Sequence, residues 1–468
     1  MPRVAPRVVI AGLSGGSGKT MVSLGLARAL SRAGARVRAF KKGPDYIDAA
    51  WLGLAAGGPC TNLDPFLLAP DPLAALFVDK AEGADLALIE GNRGLFDGKD
   101  VSGTCSTAEL ARRLAAPVIL VMDATKMTRT AAAVVLGCQH FEPDTGLAGV
   151  VLNRTAGDRH RGILTRSIEH YTGLPVLGAL PKMDDALIPE RHMGLVSDRE
   201  QDGVDEILDR LADAVGRCLD LERIRALAAA APPLARPEVA LWPEPVPGAA
   251  DPDRPVRIGY VHDAALWFYY PENLEALARA GAELVRLSIL DPAPWPEIHG
   301  LYLGGGFPET HARALAANQA VRERVRALVA DGLPIYAECG GFMYLCRELE
   351  FEGEAWPMAG VFDLRTGFCA RPQGLGYVAA EVVRPNPFHE VGTELRGHEF
   401  HYSCCRPPEG PLPDMALRMT RGAGMLLGLD AAVTANTWAS YTHLFALGAP
   451  HWAPNFVRAA LRRRDGVR

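Results

Sequence analysis

The sequence predicts two α/β domains joined by an irregular linker. In the first half, short apolar runs alternate with amphipathic helical stretches, and a second set of apolar runs begins after residue 255. Apolar runs of about 4–6 residues, each followed by a helix, are typical of a parallel sheet covered on both faces. Between the halves, residues 227–255 are rich in Ala and Pro and cannot sustain a regular helix. We therefore predict a first domain over 1–227, a linker over 228–255 and a second domain over 256–468.

The individual elements follow from these runs. The strand-like runs of the first half are VVIAG, ARVRAF, ADLALIEG, APVILVMD and LAGVVLN, with helices predicted over TMVSLGLARALSRAG and STAELARRLAA. The strand-like runs of the second half are VRIGYVHD, AELVRLS, GLYLGGG and LPIYAECG. The two halves carry different motifs, so they are not copies of one repeat.

Length, composition and charge narrow the class of protein. A chain of 468 residues is too long for one ordinary core. Apolar residues make up 49% and charged residues 22%, as in a globular enzyme, and the net charge of −6 does not indicate a nucleic-acid partner. The first residues lack a signal-peptide pattern, and no apolar run approaches the roughly 20 residues that span a bilayer. We expect a cytoplasmic protein with neither a nucleic-acid nor a membrane partner.

The first candidate site is a phosphate-binding loop. Residues 8–26, VVIAGLSGGSGKTMVSLGL, place a Gly/Ser loop between an apolar strand and an amphipathic helix. Five residues, not the usual four, separate Gly12 from the Gly-Lys-Thr segment, so the loop is a variant of the common form. A glycine-rich turn without nucleotide is the alternative. The residues predicted to cradle ATP phosphates are Gly15, Gly16, Ser17, Gly18, Lys19 and Thr20, with Thr20 also a ligand of Mg²⁺.

Two acidic segments accompany the loop. In ADLALIEGNRGLFDG (84–98), Glu90 ends an apolar strand, where a carboxylate would face the metal of the nucleotide, and Asp97 follows in a Gly-flanked loop. The segment KKGPDYIDAAW (41–51) follows another strand. Its two lysines are predicted to attract an anionic substrate, and its two aspartates to hold a metal or orient a carboxylate; a charged surface turn is the alternative. These residues are Lys41, Lys42, Asp45 and Asp48.

The second candidate site is a cysteine at a strand-to-helix turn. LPIYAECGGFMYLC (333–346) gives an apolar strand, then Cys339-Gly340-Gly341, then a helix. On such a turn a nucleophile is exposed and backbone N–H groups face the developing oxyanion. The helix N-terminus is expected to favour the reactive thiolate. Of the nine cysteines, none of which forms a C-x-x-C pair, only Cys339 has this setting; a buried structural cysteine is the alternative.

An oxyanion hole and a base complete this site. HGLYLGGGFPE (299–309) is a strand followed by three glycines, and the N–H of Gly305 or Gly306 would act together with that of Gly340; a plain turn is the alternative. A cysteine nucleophile also needs a base, usually histidine. From the residues alone, the candidates in this half are His262, His299, His311, His389, His398, His401, His443 and His451.

With both sites identified, the chain resembles the cobyrinic acid a,c-diamide synthase family, the glutamine-dependent amidases of cobalamin biosynthesis. The resemblance spans nearly the whole length and rests on GLSGGSGKT, KKGPDYIDAAW, NLDPF, EGNRGLFDG, LYLGGGFPE, YAECGGF, RGHEFHYS and ASYTHL, in the order of the family. It implies an N-terminal P-loop domain of the dethiobiotin-synthetase type, which shares the five-residue spacing. It also implies a C-terminal α/β domain of the class I glutamine amidotransferase type.

The resemblance also implies roles for single residues. Cys339 would be the glutaminase nucleophile and His443 its base. Class I amidotransferases commonly place a glutamate two residues after this histidine, where this chain has Phe445, and the sequence does not name a substitute acid. The residues implied at the nucleotide and magnesium are Lys19, Thr20 and Glu90. Those implied where ATP meets the acceptor carboxylate are Asp45, Asp48 and Asp97.

The activity implied by the resemblance is ATP- and glutamine-dependent amidation of the a- and c-acetate groups of cobyrinic acid. ATP would activate each carboxylate as an acyl phosphate, and ammonia from L-glutamine would reach it by a shielded passage between the domains. Basic residues would line the pocket of this anionic tetrapyrrole. Candidates, with ordinary polar loops as the alternative, are Arg396, His398 and His401 in RGHEFHYS, and Arg191 and His192 in PERHMG. We also consider a homodimer.

Three other activities stay open at this point. The same chemistry could act on nickel-sirohydrochlorin or hydrogenobyrinic acid. A cobyric acid synthase is less favoured, given KKGPDYIDAAW and EGNRGLFDG. A P-loop partition or regulatory ATPase with a ligand-binding second domain is disfavoured by Cys339, the three glycines and His443, because a binding module needs no nucleophile.

Overall fold

The structure is a computed structural model that describes residues 5–183, 190–191, 194–195, 201, 203–408 and 410–467. The chain divides into two compact units, Met1–Val239 and Ala240–Arg468. The division falls within the Ala/Pro-rich segment, and residues 230–255, all of them described, contain neither helix nor strand. The predicted domain boundaries at 227 and 255 stay predictions.

The first unit is built on a parallel sheet, as predicted. Its strands are β1 (Arg7–Gly12), β2 (Val37–Lys42), β3 (Thr61–Leu63), β4 (Leu86–Gly94), β5 (Val118–Asp123), β6 (Leu147–Thr155) and β7 (Val176–Pro181). Within the described residues these form a seven-stranded sheet in the order β3-β2-β4-β1-β5-β6-β7, and each neighbouring pair is parallel. The strands are buried almost throughout, which explains their continuous apolar runs.

Helices follow most of these strands. They are α1 (Lys19–Arg32), α2 (Ile47–Ala56), α3 (Pro70–Ala81), α4 (Thr107–Arg113), α5 (Thr130–Phe141), α6 (Asp158–Thr172), α7 (Val204–Cys218) and α8 (Leu221–Ala229). Two short strands, β8 (Glu190–Arg191) and β9 (Gly194–Leu195), form a separate antiparallel pair. The two predicted helices correspond to α1 and α4, whereas β3 and β7 were not predicted.

The second unit has a mixed sheet. Its strands are β10 (Val256–Val261), β11 (Leu266–Phe268), β12 (Ala282–Leu287), β13 (Gly300–Leu303), β14 (Gly305–Gly306), β15 (Ile335–Glu338), β16 (Cys346–Phe351), β17 (Glu354–Pro357), β18 (Phe362–Phe368), β19 (Gly374–Val382), β20 (Glu394–His401), β21 (Ser403–Arg406), β22 (Asp414–Arg421), β23 (Leu429–Thr434), β24 (Thr437–Ser440) and β25 (His443–Leu444). In the described part of the chain, ten of them form one sheet in the order β12-β10-β13-β15-β24-β23-β22-β19-β20-β25.

This order brings the end of the chain next to the cysteine turn. Within this sheet, the neighbouring strands β12, β10, β13, β15 and β24 are parallel, and every later pair in the sheet order is antiparallel. Strand β24 lies directly beside β15, so residues 437–440 pair with residues 335–338. The helices of this unit are α9 (Pro271–Arg279), α10 (Ala312–Ala317), α11 (Gln319–Ala330), α12 (Gly340–Leu345) and α13 (Trp452–Arg464). No helix in the described ranges is both long enough and apolar enough to cross a membrane.

Candidate active sites

The phosphate loop has the backbone that its glycines predict. Gly16 and Gly18 adopt φ angles of 73° and 90°, in the left-handed region that favours glycine. The Ser17 hydroxyl donates to Ser14 O at 2.9 Å and accepts from Ser14 N at 3.0 Å, which closes the turn. Helix α1 begins immediately afterwards at Lys19. The loop therefore leads directly into the N-terminus of a helix, where backbone N–H groups can bind phosphate.

Two residues that the sequence analysis missed hold this loop from β6. Asn153 Nδ2 donates to Ser17 O at 3.1 Å, and a methyl group on Gly18 would collide with the same amide. Arg154 Nη1 donates to Gly16 O at 3.0 Å and to Asp123 Oδ2 at 2.8 Å. The available signal was the Asn that ends the predicted strand LAGVVLN and the Arg directly after it, because polar residues at the carboxyl end of parallel strands tend to face the ligand crevice.

Glu90 and Thr20 meet beside the loop and fit a magnesium ion. Thr20 Oγ1 donates to Glu90 Oε1 at 2.8 Å. Glu90 is fully buried, and among the described residues nothing hydrogen-bonds its Oε2. A buried carboxylate oxygen without a partner is costly unless a ligand satisfies it. Across the described ranges, no group of three His, Cys, Asp or Glu side chains forms a metal site by itself. The hydroxyl and carboxylate oxygens suit Mg²⁺, whose remaining positions are usually filled by water and phosphate.

Lys41 lies inside a cluster of three carboxylates. Its Nζ is 2.6 Å from Asp48 Oδ2, 2.8 Å from Glu90 Oε1 and 3.8 Å from Asp45 Oδ2. Although burial acts in the opposite direction, these carboxylates hold the pKa of Lys41 well above its ordinary value. The register explains the meeting, because Lys41 on β2 is paired with Glu90 on β4. The structure thus brings together four of the residues that the sequence analysis singled out, and their roles stay predictions.

The two predicted lysines are both buried. Lys41 is fully buried and Lys42 is 4% exposed, so the alternative of a charged surface turn does not hold, and attraction of an anionic substrate stays a prediction. Burial lowers the pKa of Lys42, with Asp64 acting in the opposite direction. Strand β2 buries the two side chains, which as successive residues of a strand lie on opposite faces of the sheet.

The pKa values of Asp45 and Asp48 shift in opposite directions. Burial, together with the neighbouring Asp48 carboxylate, raises the pKa of Asp45 to about 7. Burial would also raise the pKa of Asp48, but the Lys41 ammonium holds it below its ordinary value. Such a pair can share one proton at neutral pH. Asp97 is separate from this cluster: it is exposed, and its Oδ2 accepts from Gly94 N at 2.9 Å. A role for Asp97 at the acceptor carboxylate stays a prediction.

Cys339 occupies the strained turn that the sequence predicts. It lies between β15 and α12 with φ 45° and ψ −100°, a conformation rare for residues other than glycine. Its N–H donates to Ser440 O at 2.7 Å, and Gly341 N donates to Gly304 O at 2.9 Å, which fixes the turn from two neighbouring strands. Such a strand–turn–helix presents a nucleophile at the carboxyl end of the sheet.

Burial opposes the thiolate that was expected at Cys339. Cys339 is 5% exposed, and burial raises the pKa of its thiol, with the Glu309 carboxylate acting in the same direction. Helix α12 has only six residues, so its N-terminus does not offset the burial. The thiol is therefore neutral near pH 7, and it must lose its proton to a base during attack.

The predicted oxyanion glycines converge on the predicted base. Gly305 and Gly306 form β14, which pairs with β11. A methyl group on Gly340 would lie 2.9 Å from Gly306 N, and one on Gly305 would lie 2.5 Å from Cε1 and 3.2 Å from Nε2 of His443. The structure therefore brings together Gly305, Gly306, Gly340 and His443, next to Cys339, although these residues come from three separate segments.

His443 is fixed by two further side chains. Its Nδ1 is 3.3 Å from Oε2 of Glu338, a fully buried residue that directly precedes the cysteine. Its ring stacks on that of His398, with centroids 4.8 Å apart and planes 18° apart. The Nε2 edge therefore faces Gly305, away from Glu338. The sequence analysis missed Glu338 because it looked for an acid near Phe445.

The predicted tetrapyrrole pocket in RGHEFHYS is wrong for two of its three residues. His398 is fully buried against His443, and His401 is buried and stacks on Tyr441 with centroids 3.8 Å apart. Neither can line an open pocket; only Arg396 is exposed. In the second candidate segment, PERHMG, His192 and the side chain of Arg191 lie outside the described residues.

Comparison with known proteins assigns both units. Residues 8–196 match the model of the CobQ/CobB/MinD/ParA nucleotide binding domain, and residues 257–450 match that of the CobB/CobQ-like glutamine amidotransferase domain. A protein of Magnetococcus marinus named cobyrinate a,c-diamide synthase is 42% identical over 98% of both chains. The chain belongs to the cobyrinate a,c-diamide synthase family. Relatives with the same name are 38% identical in Archaeoglobus fulgidus, over 99% of both chains, and 39% identical in Salmonella typhimurium, over 97% of this chain and 98% of the other.

Membership of the cobyrinate a,c-diamide synthase family confirms the predicted architecture. The phosphate loop, Thr20 and Glu90 lie within the matched nucleotide-binding region, and Cys339 and His443 lie within the matched amidotransferase region. As in the rest of this family, the chain is a carbon–nitrogen ligase that takes its nitrogen from glutamine and binds a nucleotide.

Proposed function

We propose that the protein uses ATP and glutamine to convert the a- and c-acetate carboxylates of cobyrinic acid into carboxamides. The observation that supports the proposal is that one chain holds a phosphate loop beside the Thr20–Glu90 pair and a cysteine turn whose neighbouring glycines approach His443. The choice of substrate rests on the relatives named cobyrinate a,c-diamide synthase, which match 97–99% of this chain.

The first half-reaction activates the acceptor. A carboxylate resists amidation because hydroxide is a poor leaving group, whereas an acyl phosphate releases phosphate. Lys19 and the backbone N–H groups of the loop would offset the charge on the phosphoryl group as it moves from ATP to the carboxylate. Magnesium bound by Thr20 and Glu90 would supply further neutralisation of the phosphate oxygens. The remaining carboxylates of the cluster, Asp45 and Asp48, would orient the acceptor group.

The second half-reaction supplies nitrogen. As the Cys339 thiol attacks the amide carbon of glutamine, His443 Nε2 would take the thiol proton and then return it to the departing nitrogen. This gives ammonia and a γ-glutamyl thioester, which water cleaves to glutamate. The backbone N–H groups of Gly306 and Gly340 would stabilise the oxyanion. Free ammonia is mostly protonated near pH 7, so a shielded transfer to the acyl phosphate stays a prediction.

Two measurements test the proposal. Cobyrinic acid and nickel-sirohydrochlorin are each incubated with ATP, magnesium and glutamine, and the masses of the products are measured by mass spectrometry. Two amidations of cobyrinic acid and none of nickel-sirohydrochlorin are expected; the reverse would move the activity to the other ring. In Cys339→Ala, glutamine-dependent amidation should disappear while amidation with high ammonium salt remains. Loss of both would contradict the division of labour between the two sites. A homodimer and a cytoplasmic location stay predictions.

A further inference from the structure

We propose that Glu338 is the positioning acid of the glutaminase site, in place of the glutamate that this chain lacks after His443. The proposal rests on the proposed function, in which Cys339 is the nucleophile and His443 its base. Glu338 is the last residue of β15, and the nucleophile follows it directly. The acid and the nucleophile are thus neighbours in sequence, whereas the base lies 105 residues away.

Both oxygens of Glu338 are committed to the segment that carries the base. Oε2 lies 3.3 Å from His443 Nδ1, and Oε1 accepts from Leu444 N at 3.1 Å. A carboxylate accepts hydrogen bonds and does not donate them, so this contact selects the tautomer with a proton on Nδ1. That tautomer leaves Nε2, the nitrogen beside Gly305, unprotonated, as a base that accepts the proton of the thiol must be. The contact therefore sets both the ring orientation and the nitrogen that acts as base.

A buried polar chain fixes Glu338 in turn. The Tyr302 hydroxyl donates to Glu338 Oε2 at 3.2 Å and accepts from Asn273 Nδ2 at 3.2 Å. Burial raises the pKa of Tyr302 well above its ordinary value, with the Glu338 charge acting in the same direction, so the phenol keeps the proton that it donates. Asn273 also donates to Leu444 O at 2.8 Å and accepts from Ala446 N at 2.7 Å. The chain of contacts therefore returns to the residues that follow His443.

A second side chain, His398, covers one face of the His443 ring independently of the Glu338 contact at its edge. The His398 ring stacks on His443, and its Nδ1 lies 3.2 Å from the Tyr270 hydroxyl. Burial and the neighbouring His443 lower the pKa of His398 well below its ordinary value, so His398 is neutral and its ring packs against His443 as an uncharged surface. Glu338, unlike His398, brings a negative charge to His443, so it can stabilise the imidazolium formed during attack.

The test separates positioning from folding. In Glu338→Gln, the side chain keeps its size and can still accept from Leu444 N. Its neutral amide, however, cannot stabilise a positive charge on the imidazole, and it does not select the tautomer with a proton on Nδ1 as a carboxylate does. We expect kcat for glutamine hydrolysis to fall about 100-fold while KM changes less than about threefold, since proton transfer is affected and glutamine binding is not. Tyr302→Phe, which releases one hydrogen bond on Glu338, should lower kcat about tenfold.

Tyr344→Phe is the matched control, because among the described residues nothing hydrogen-bonds the Tyr344 hydroxyl, and its kcat should stay within about threefold of the parent value. The ammonium-dependent reaction should be unaffected in all three variants. A Glu338→Gln enzyme with parental kcat overturns the proposal. If that variant fails to fold, as thermal unfolding would show, Tyr302→Phe decides: a kcat equal to that of Tyr344→Phe overturns the proposal, and a tenfold loss supports it. Glutamine use by Cys339→Ala would instead contradict the proposed function itself.

Discussion

The Lys41 ammonium lies 2.8 Å from Oε1 of Glu90, and neither side chain is accessible to solvent. The same oxygen accepts from Thr20. The cluster thus holds one positive charge against the three carboxylates of Asp45, Asp48 and Glu90, which leaves a formal charge of −2 when all are ionised. A divalent cation would neutralise that excess. Lys41 therefore lowers the cost of keeping three acids together, and the ion that accompanies the nucleotide supplies the remaining charge.

Replacing Lys41 by Met should destabilise the protein strongly and in a pH-dependent way. Three neighbouring carboxylates would lose their counter-ion, at a cost of about 3–5 kcal/mol near pH 8. The loss should be smaller at pH 5, where the carboxylates can take up protons, and magnesium should restore part of it. The measurement is the free energy of unfolding in urea at both pH values, with and without magnesium. Lys80→Met is the control, because Lys80 pairs with Asp79 near the surface and should cost under about 1 kcal/mol. A Lys41→Met protein equally stable at both pH values would contradict this account.

Asp45→Asn should stabilise the metal-free protein at alkaline pH. The pKa of Asp45 is about 7 in the folded protein and 3.8 ordinarily, so the folded state binds this proton more tightly than the unfolded state. The contribution of protonated Asp45 to the free energy of unfolding is therefore fully present below pH 4. It is lost as the pH rises through 7, where Asp45 ionises in the folded protein. The full shift corresponds to about 4 kcal/mol, and the 28% exposure of the side chain reduces it to about 2 kcal/mol. Asparagine carries no charge and can still accept from Asp48 N.

The comparison is made by unfolding both proteins in chelator without nucleotide. At pH 8, Asp45→Asn should be the more stable, and near pH 4 the two proteins should converge. At the same time the variant should lose ATP-dependent amidation. A parent protein whose stability does not decline between pH 5 and 8 relative to the variant would show that Asp45 is already ionised.

The sequence predicts the two chemical turns well because each is encoded locally. An apolar strand, a glycine loop and a helix are contiguous around Lys19 and again around Cys339, so their geometry follows from residues a few positions apart. Most of the parallel strands were predicted for the same reason, since burial on both faces leaves a continuous apolar run. Most of strands β16–β23 were missed, because most of them pair in antiparallel fashion and alternate in burial, so they lack a continuous apolar run.

Contacts between distant segments could not be predicted. The sequence shows Glu338 directly before Cys339, but its contact with His443 depends on β15, β24 and β25 belonging to one sheet. The burial of Lys41 likewise depends on pairing with Glu90, 49 residues later. In both cases the charge of a single residue suggests exposure, whereas its partner, supplied by tertiary structure, permits burial.

Gly18→Ala should weaken nucleotide binding and destabilise the protein. Gly18 has φ 90°, and an added methyl group would collide with the Asn153 amide that holds the loop. We expect a stability loss of about 1–2 kcal/mol and at least a tenfold weaker affinity for ATP, measured by calorimetry. Gly15→Ala controls for stability, because no atom of the described residues lies within 4 Å of a methyl group there. Equal unfolding free energies for the two variants would contradict the predicted strain.

Gly305→Ala should separate the two activities. The new methyl group would lie 2.5 Å from His443 Cε1 and would displace the imidazole or β14. Glutamine hydrolysis should fall about 100-fold or more, whereas the ammonium-dependent reaction, which does not use this site, should persist. Steady-state rates with each nitrogen source provide the measurement. Equal losses with both sources would mean that the substitution acts on the whole protein and not on the glutaminase site.

The thiol of Cys339 should react more slowly than its role as a nucleophile suggests. Burial, reinforced by Glu309, raises its pKa, so the thiolate fraction near pH 7 is below that of a free cysteine, whose ordinary value is 9.0. The fraction should grow about tenfold for each pH unit up to that raised pKa. Alkylation of Cys339 by iodoacetamide, followed by peptide mass spectrometry, should therefore keep accelerating beyond pH 9. A small free thiol in the same solution should level off there. A plateau for Cys339 below pH 8 would show that the resting enzyme already holds a thiolate, and His443 would then be needed only to protonate the departing ammonia.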